Sequence, residues 1–286
     1  MGPWTGQDMR VSYDPTIYRG SAPHYAVGRP PYSPGLEAVL AEAVGLAGRG
    51  RLLDVGCGPG VLALRLAHLF EAGVGLDPDP DMLTEAGRRA AEQGISNVCW
   101  VQALAEDLPG TALGPYRLVT FGQSFHRTAE HEVAEVVYDL LDPGGALALI
   151  VHSVSGRPAP ASPGYPPIPH EEMAELVQRY LGPIPRSGRG YVQPRDHTFE
   201  DVLVRTRFGE PITLWAPGIP DLVRDTESVL SGYFSMTTSA PHLFGDRIDE
   251  FASEARALLR QRSPKGLFWD WPGDTAIVLA CRPADD

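Results

Sequence analysis

At 286 residues, the chain is long enough for one large domain or one domain with an appended cap. Hydrophobic residues make up 43% and charged residues 21%, a balance that excludes intrinsic disorder. The formal charge of −12 argues against a nucleic-acid partner or an anionic membrane partner, and the sole lysine, Lys265, leaves Schiff-base chemistry one candidate.

Residues 1–33 are rich in Tyr, Pro and Gly and read as an irregular lead-in. No basic-then-apolar leader is read there, and no apolar run of membrane-spanning length follows. Ser33-Pro34 reads as a helix N-cap with proline at the first helical position, followed by Leu36, Val39, Leu40 and Ala43 at helical spacing. Leu52-Leu53-Asp54-Val55 is a short apolar strand that runs into the turn Gly56-Cys57-Gly58-Pro59-Gly60, and Leu62, Leu66 and Leu69 mark the next helix. A second strand over 73–76 ends at Asp77, and a helix is expected from Pro80 to Gln93. Strands over 98–101, 117–121 and 146–151 follow. A helix carrying Val133, Val136, Val137 and Leu140 precedes the last of these, with Asp142-Pro143-Gly144-Gly145 as its stop. Strands alternating with helices predict an α/β fold with a parallel sheet.

Beyond residue 152 the rhythm breaks. A proline-rich loop over 153–194 surrounds a short helix near 170–181, and late strands are expected over 211–215 and 275–280. Helical stretches near 218–236 and 245–262 complete the pattern, read as excursions over the ligand face of the sheet. The chain divides into a lead-in (1–33), a nucleotide-binding core (34–152) and cap insertions with the last strands (153–286).

A strand, a turn Asp54-x-Gly56-x-Gly58-x-Gly60 and a helix form a nucleotide-binding arrangement. Glycines let a ligand approach the backbone, and the helix start offers unpaired N–H groups to an anion. Asp77 sits where a carboxylate can accept both ribose hydroxyls. A dinucleotide fingerprint requires glycine where this chain has Val61, so a pyrophosphate ligand fits poorly. A ligand with an amino-acid tail fits better, with Asp54 facing its ammonium and backbone N–H groups facing its carboxylate.

Residues 51–152, with LLDVGCGPG, GLDPDPDML, AEDLP and LLDPGGALALI, resemble the core of the class I S-adenosylmethionine-dependent methyltransferases that act on small molecules. The resemblance implies a doubly wound, Rossmann-like seven-stranded sheet whose final strand runs antiparallel. S-adenosyl-L-methionine would be the cofactor, and methyl transfer to a small-molecule substrate the activity. Gly56, Gly58 and Gly60 would flank its methionine part, Asp77 would hold the ribose and Met82 would pack near the adenine. Family members often carry an acid where this chain has Leu104, which leaves the Ala105 backbone and Glu106 for the adenine.

The resemblance also places the loop Gly122-Gln123-Ser124-Phe125-His126 at the methyl-transfer site. Gln123 is then a cofactor contact, and His126 a general base or an orienting group. Similar family members carry a Tyr-rich segment ending in Arg-Pro at the N-terminus. Tyr18, Tyr25 and Arg29 are therefore expected to form an N-terminal lid, with Arg29 pairing with a carboxylate. Asp77-x-Asp79-x-Asp81 lacks the glycine and glutamate of a calcium loop, and no zinc spacing exists, so no metal is expected. Three widely spaced cysteines point to a reduced, cytoplasmic protein. Two alternatives stay open: an enzyme that uses the cofactor without methyl transfer, such as a cyclase, and a catalytically silent binding module.

Overall fold

Short apolar strands alternate with helices through the first half of the chain, as the residue pattern predicts. A computed structural model describes residues 14–111, 114–153, 159–187, 190–191 and 196–284. The chain begins with α1 (Ala22–Gly28), α2 (Leu36–Val44), β1 (Arg51–Val55), α3 (Val61–Leu66), β2 (Ala72–Asp77), α4 (Pro80–Gln93) and β3 (Val98–Gln102). Next come α5 (Leu108–Thr111), β4 (Tyr116–Gly122), α6 (Glu130–Leu140) and β5 (Leu141–Ser153). The second half holds α7 (His170–Leu181), β6 (Arg186–Ser187), β7 (Gly190–Tyr191), α8 (Phe199–Leu203), β8 (Ile212–Ala216), β9 (Val223–Asp225), α9 (Thr226–Phe234), α10 (Pro241–Phe244), α11 (Ile248–Arg262), β10 (Leu267–Trp269) and β11 (Asp274–Cys281).

Seven strands form one sheet in the order β3-β2-β1-β4-β5-β11-β8. β1 through β5 pair in parallel, whereas β11 runs antiparallel to both of its neighbours. This is the Rossmann-like α/β arrangement expected from the sequence. Strand order reverses between β1 and β4, and open α/β sheets bind ligands beyond the carboxyl ends of the strands at such a point. The glycine turn, Asp77 and the loop after β4 all leave from that edge.

Alternation along each strand supplies two buried faces. Leu53, Val119 and Leu149 pack against α5 and α6 on one side. Leu52, Leu118 and Ile150 pack against α2 and α3 on the other. α4 occupies its predicted span because both ends are encoded locally. The Asp79 side chain accepts N–H bonds from Asp81 and Met82, Pro80 opens the first turn, and Gly94 closes the helix at φ 68°.

Three local expectations differ from the structure. α2 starts at Leu36, not Pro34; Ser33 Oγ accepts the Gly35 N–H at 3.1 Å but donates to the Pro217 carbonyl at 2.6 Å, so it serves a tertiary contact too. Asp142–Gly145 does not stop α6, since Leu141 is already extended and β5 runs through the segment. The glycines bend the strand there: a Cβ on Gly145 would lie 2.9 Å from the Asp142 and Tyr116 carbonyl oxygens. Within 218–236, Val223–Asp225 is a strand paired with β10, and the helix begins only at Thr226, capped by Asp225.

The second half builds its own core. Phe234, Phe244 and Phe251 pack against one another, with the rings of Phe244 and Phe251 stacked at 4.1 Å, above Met173, Leu230 and Leu259. α1 lies against α9 of this unit. Ser21 Oγ donates to the Phe234 carbonyl at 2.7 Å, and the Arg224 guanidinium, paired with Asp270 at 3.1 Å, donates to the Gly28 carbonyl. The helices touch backbone to backbone, because a Cβ on Gly28 would fall 2.2 Å from the Ser231 carbonyl carbon. Among the described residues no helix is long and apolar enough to cross a membrane. Gly28→Ala should destabilise the protein by about 1–3 kcal/mol, read as a lowered Tm, because the two helices must separate to admit the methyl group.

Candidate functional site

The turn after β1 stands on a buried carboxylate. Asp54 is 1% exposed; its Oδ2 accepts the Ala63 N–H at 3.1 Å and its Oδ1 accepts the Thr120 hydroxyl at 2.8 Å. Those bonds tie β1 to the start of α3 and to β4. Burial pushes the Asp54 carboxyl up to about 7, against the pull of both donors. Asp54 was expected to face a ligand ammonium; each oxygen accepts one bond inside the protein and keeps a lone pair, and the residue walls a small recess beneath the turn, not the large cavity. Gly60 likewise turns to packing: at φ 74° it caps α3, and a Cβ would lie 2.8 Å from the Trp100 ring.

Asp77, at the end of β2, is 8% exposed. Its Oδ1 accepts the Asp79 N–H at 2.9 Å and its Oδ2 accepts the Gly58 N–H at 2.8 Å. Each oxygen retains a lone pair, enough for two hydroxyl donors. Burial raises the Asp77 carboxyl to about 6, opposed by the Asp79 and Gly58 N–H groups and reinforced by the Asp79 charge. Met82, Leu104 and Ala105 continue this wall as an apolar surface, and Glu106 Oε1 accepts the Ala129 N–H at 2.8 Å beside it.

Opposite stands the loop after β4. Gln123 adopts φ 57°, a left-handed conformation uncommon for a side-chain-bearing residue, and its N–H donates to the Ile150 carbonyl at 3.1 Å. His126 and Arg127 follow on a single 3-10 turn. Tyr18 and Tyr25 meet edge to face at 6.1 Å, Arg29 lies 4.9 Å over the Tyr25 ring, and Arg127 lies 5.4 Å over Tyr18. Burial pushes the Tyr25 phenol up to about 12, so it stays a neutral ring with a hydroxyl.

A cavity of about 1010 Å³ joins these parts. Tyr18, Tyr25, Arg29, Gly56, Gly58, Asp77, Met82, Ala105, Glu106, Gln123 and His126 all line it, whereas Asp54 and Gly60 do not. Sequence reasoning missed Met236, Thr237 and Thr238, which follow α9 and close the far side; nothing local in that stretch marks them. It also missed a smaller recess of about 70 Å³ beneath the glycine turn, walled in part by Tyr32 and His152. A histidine at the carboxyl end of a buried parallel strand was the available signal for that one.

Residues 52–145 match the family model described as a methyltransferase domain. Over 170 residues the chain is 29% identical to a 2-heptyl-1-hydroxyquinolin-4(1H)-one methyltransferase of Mycobacteroides abscessus, covering 57% of this chain and 73% of that one. Over 139 residues it is 32% identical to a protein-L-isoaspartate O-methyltransferase of Azorhizobium caulinodans, covering 47% of this chain and 61% of that one. The crystal structure of the 4+2 cyclase SpnF shares the fold at a TM-score of 0.51, with 20% identity over 94% of this chain and 95% of that one. These matches support a class I S-adenosylmethionine-dependent methyltransferase.

The residues fit that family's cofactor, S-adenosylmethionine. Asp77 holds unused acceptor capacity at the cavity wall, and the Arg29 Nε is buried without a partner. Asp77→Ala should lower S-adenosylhomocysteine affinity at least ~10-fold in a folded protein, measured by calorimetric titration. With the Asp77 carboxyl titrating near 6, affinity should hold above that pH and fall several-fold as pH drops to about 5, because protonation removes the charged acceptor. Asp77→Asn should flatten the decline.

Proposed function

We propose that this methyltransferase moves the methyl group of S-adenosylmethionine onto a small metabolite or natural product, at a hydroxyl, carboxyl, amine or carbon atom. One observation carries the reading: the cofactor wall and the loop bearing His126 share a cavity with residues of α1 and the segment after α9. A pocket for one drug-sized ligand measures about 300–1,000 Å³. The cavity of about 1010 Å³ therefore has room for cofactor and acceptor side by side. The two curated relatives act, by name, on a quinolone and on a protein residue. Enclosure by the N-terminal segment and cap favours the small molecule here. A formal charge of −12 and the free thiols Cys57, Cys99 and Cys281 support a cytoplasmic enzyme that engages neither nucleic acid nor membrane.

When bound, the cofactor supplies an electrophilic methyl carbon on a sulfonium. The chain's own residues supply position. Asp77 would accept the ribose hydroxyls, Met82, Leu104 and Ala105 would cover the adenine, and Arg29 would pair with the carboxylate. Tyr18 and Tyr25 exclude water and present aromatic faces, which attract a cation. Holding two reactants in line is worth several kcal/mol of barrier, so alignment is the main contribution. For a hydroxyl acceptor, His126 takes the proton.

The test is S-adenosylhomocysteine release across a panel of phenols, quinolones, carboxylic acids and amines. Product formed without that release would defeat the proposal in favour of a cofactor-assisted cyclase. His126→Ala should lower kcat by ~10²–10⁴ with cofactor affinity retained, and His126→Gln should recover part of the loss if the ring only orients the acceptor.

A further inference from the structure

Among the described residues that line the large cavity, two are arginines, Arg29 and Arg127, and they are placed differently. Arg29 also walls the recess beneath the glycine turn and donates to the Ser235 carbonyl at 3.0 Å. Arg127 lines only the large cavity, one residue after His126 on the same 3-10 turn. Its guanidinium lies 5.4 Å over the Tyr18 ring, a contact that uses the charge but gives its N–H donors no oxygen. Among the described residues no carboxylate or carbonyl oxygen pairs with that guanidinium.

The cavity's acids are held by backbone N–H groups: Asp14 by Thr16, Asp77 by Gly58 and Asp79, Asp79 by Asp81, and Glu106 by Ala129. Elsewhere in this chain of formal charge −12, Arg65, Arg207, Arg224 and Arg256 each hold a carboxylate. Arg127, beside the proposed base, holds none, and its charge calls for an anionic ligand. The far side of the cavity adds donors. Thr237, 7% exposed, and Thr238 carry hydroxyls that have no partner among the described residues.

A guanidinium presents a planar fork that matches the two oxygens of a carboxylate. A phosphate dianion would call for more than this one cation. The carboxylate is a handle and not the methyl acceptor: its lone pairs are engaged by the guanidinium, and it has no proton for His126 to take. A hydroxyl does have one. Successive residues on a 3-10 turn diverge by about 120°, so Arg127 and His126 suit different ends of one acceptor.

We propose that the acceptor is a hydroxy acid whose carboxylate is bound by Arg127 while its hydroxyl faces the methyl carbon. The hydroxyl oxygen bonds to that carbon, the sulfonium C–S bond breaks with its electron pair going to sulfur, and the proton passes to His126. This deepens the methyl-transfer reading above and rests on it.

The experiment measures kcat/KM for S-adenosylhomocysteine release from 4-hydroxybenzoate, 4-hydroxycinnamate and 4-hydroxyphenylacetate, each against its methyl ester. The acids should be preferred at least ~10-fold, through a lower KM. Arg127→Met should abolish that preference, and Arg127→Lys should restore part of it. Arg127→Glu should turn it toward tyramine, which carries an ammonium in place of the carboxylate. Calorimetric titration with S-adenosylhomocysteine checks that each variant keeps its cofactor site. Equal kcat/KM for acid and ester in the parent would overturn the inference, as would release from esters or neutral phenols alone; either result leaves the methyl-transfer reading standing. Loss of acid, ester and S-adenosylhomocysteine by one common factor in Arg127→Met would also overturn it, and would reduce Arg127 to a support for Tyr18. A parent that releases S-adenosylhomocysteine with no acceptor defeats the methyl-transfer reading and this inference together.

Discussion

Asp54 buries an ionisable group beneath the glycine turn, with Thr120 from β4 on one oxygen and the first turn of α3 on the other. Such a group costs several kcal/mol to bury and is tolerated only when its hydrogen bonds are made. Here the bonds converge from the strands flanking the point of order reversal and from the helix that follows the turn. The height and tilt of the glycine turn are thereby set from below. Gly58 can then aim its N–H at Asp77, and Gly56 can let Ser124 of the loop after β4 approach to where a Cβ would collide, at 2.5 Å. The glycine turn, Asp77 and the loop after β4 form one edge because they share that support. A site that works by alignment needs such shared support.

The roof over this edge comes from both ends of the chain. α1 is held to the cap through Gly28 against Ser231, Ser21 on the Phe234 carbonyl, and Arg224 clamping the Gly28 carbonyl. Arg29 continues the link by donating to the Ser235 carbonyl at 3.0 Å, one residue before the segment that lines the far side of the cavity. A guanidinium that reaches the recess beneath the glycine turn and the cap at once couples the two geometrically. Tyr25 stacks under the same guanidinium. A polar or charged substitution in this cluster would disturb cofactor and acceptor walls together, since neither wall is built from one segment alone.

Elements whose signals are local were readable from the sequence. α4 carries its cap, its proline and its terminal glycine within its own span, and α7 occupies its predicted 170–181. β1, β2, β4 and β5 are apolar runs between turn signals, and Asp77 stands out as an acid at a strand end. What escaped depends on partners far along the chain. β9 exists because Leu267–Trp269 lies beside it, and its residues carry no alternation to announce a strand. Asp54 reads equally well as ligand-facing or buried until Thr120 appears opposite. His152 meets Tyr32 and Arg29 only in the fold, since both precede it by more than a hundred residues. Met236–Thr238 line the cavity because α9 ends there, and that end is fixed by the aromatic cluster of the cap.

Charge completes the logic of the edge. Asp54 and Asp77 are both raised toward neutrality by burial, and the Asp77 charge raises Asp54 further. The two acids share this edge with Arg29 and Arg127, whose guanidinium groups lie over the Tyr25 and Tyr18 rings. On the proposed reading, a ligand that brings a sulfonium and an ammonium would add positive charge and favour the ionised carboxylates, and its own carboxylate would engage the Arg29 guanidinium. S-adenosylhomocysteine lacks the sulfonium charge but keeps the zwitterion, so on the proposed reading the amino-acid tail would anchor cofactor and spent cofactor alike. Discrimination between them would then fall to the aromatic faces of Tyr18 and Tyr25, whose attraction for a cation would disappear once the methyl group has left. On that reading the rings proposed to keep water from the reaction would also weaken their hold on the spent cofactor, while Asp77 and Arg29 would hold both forms.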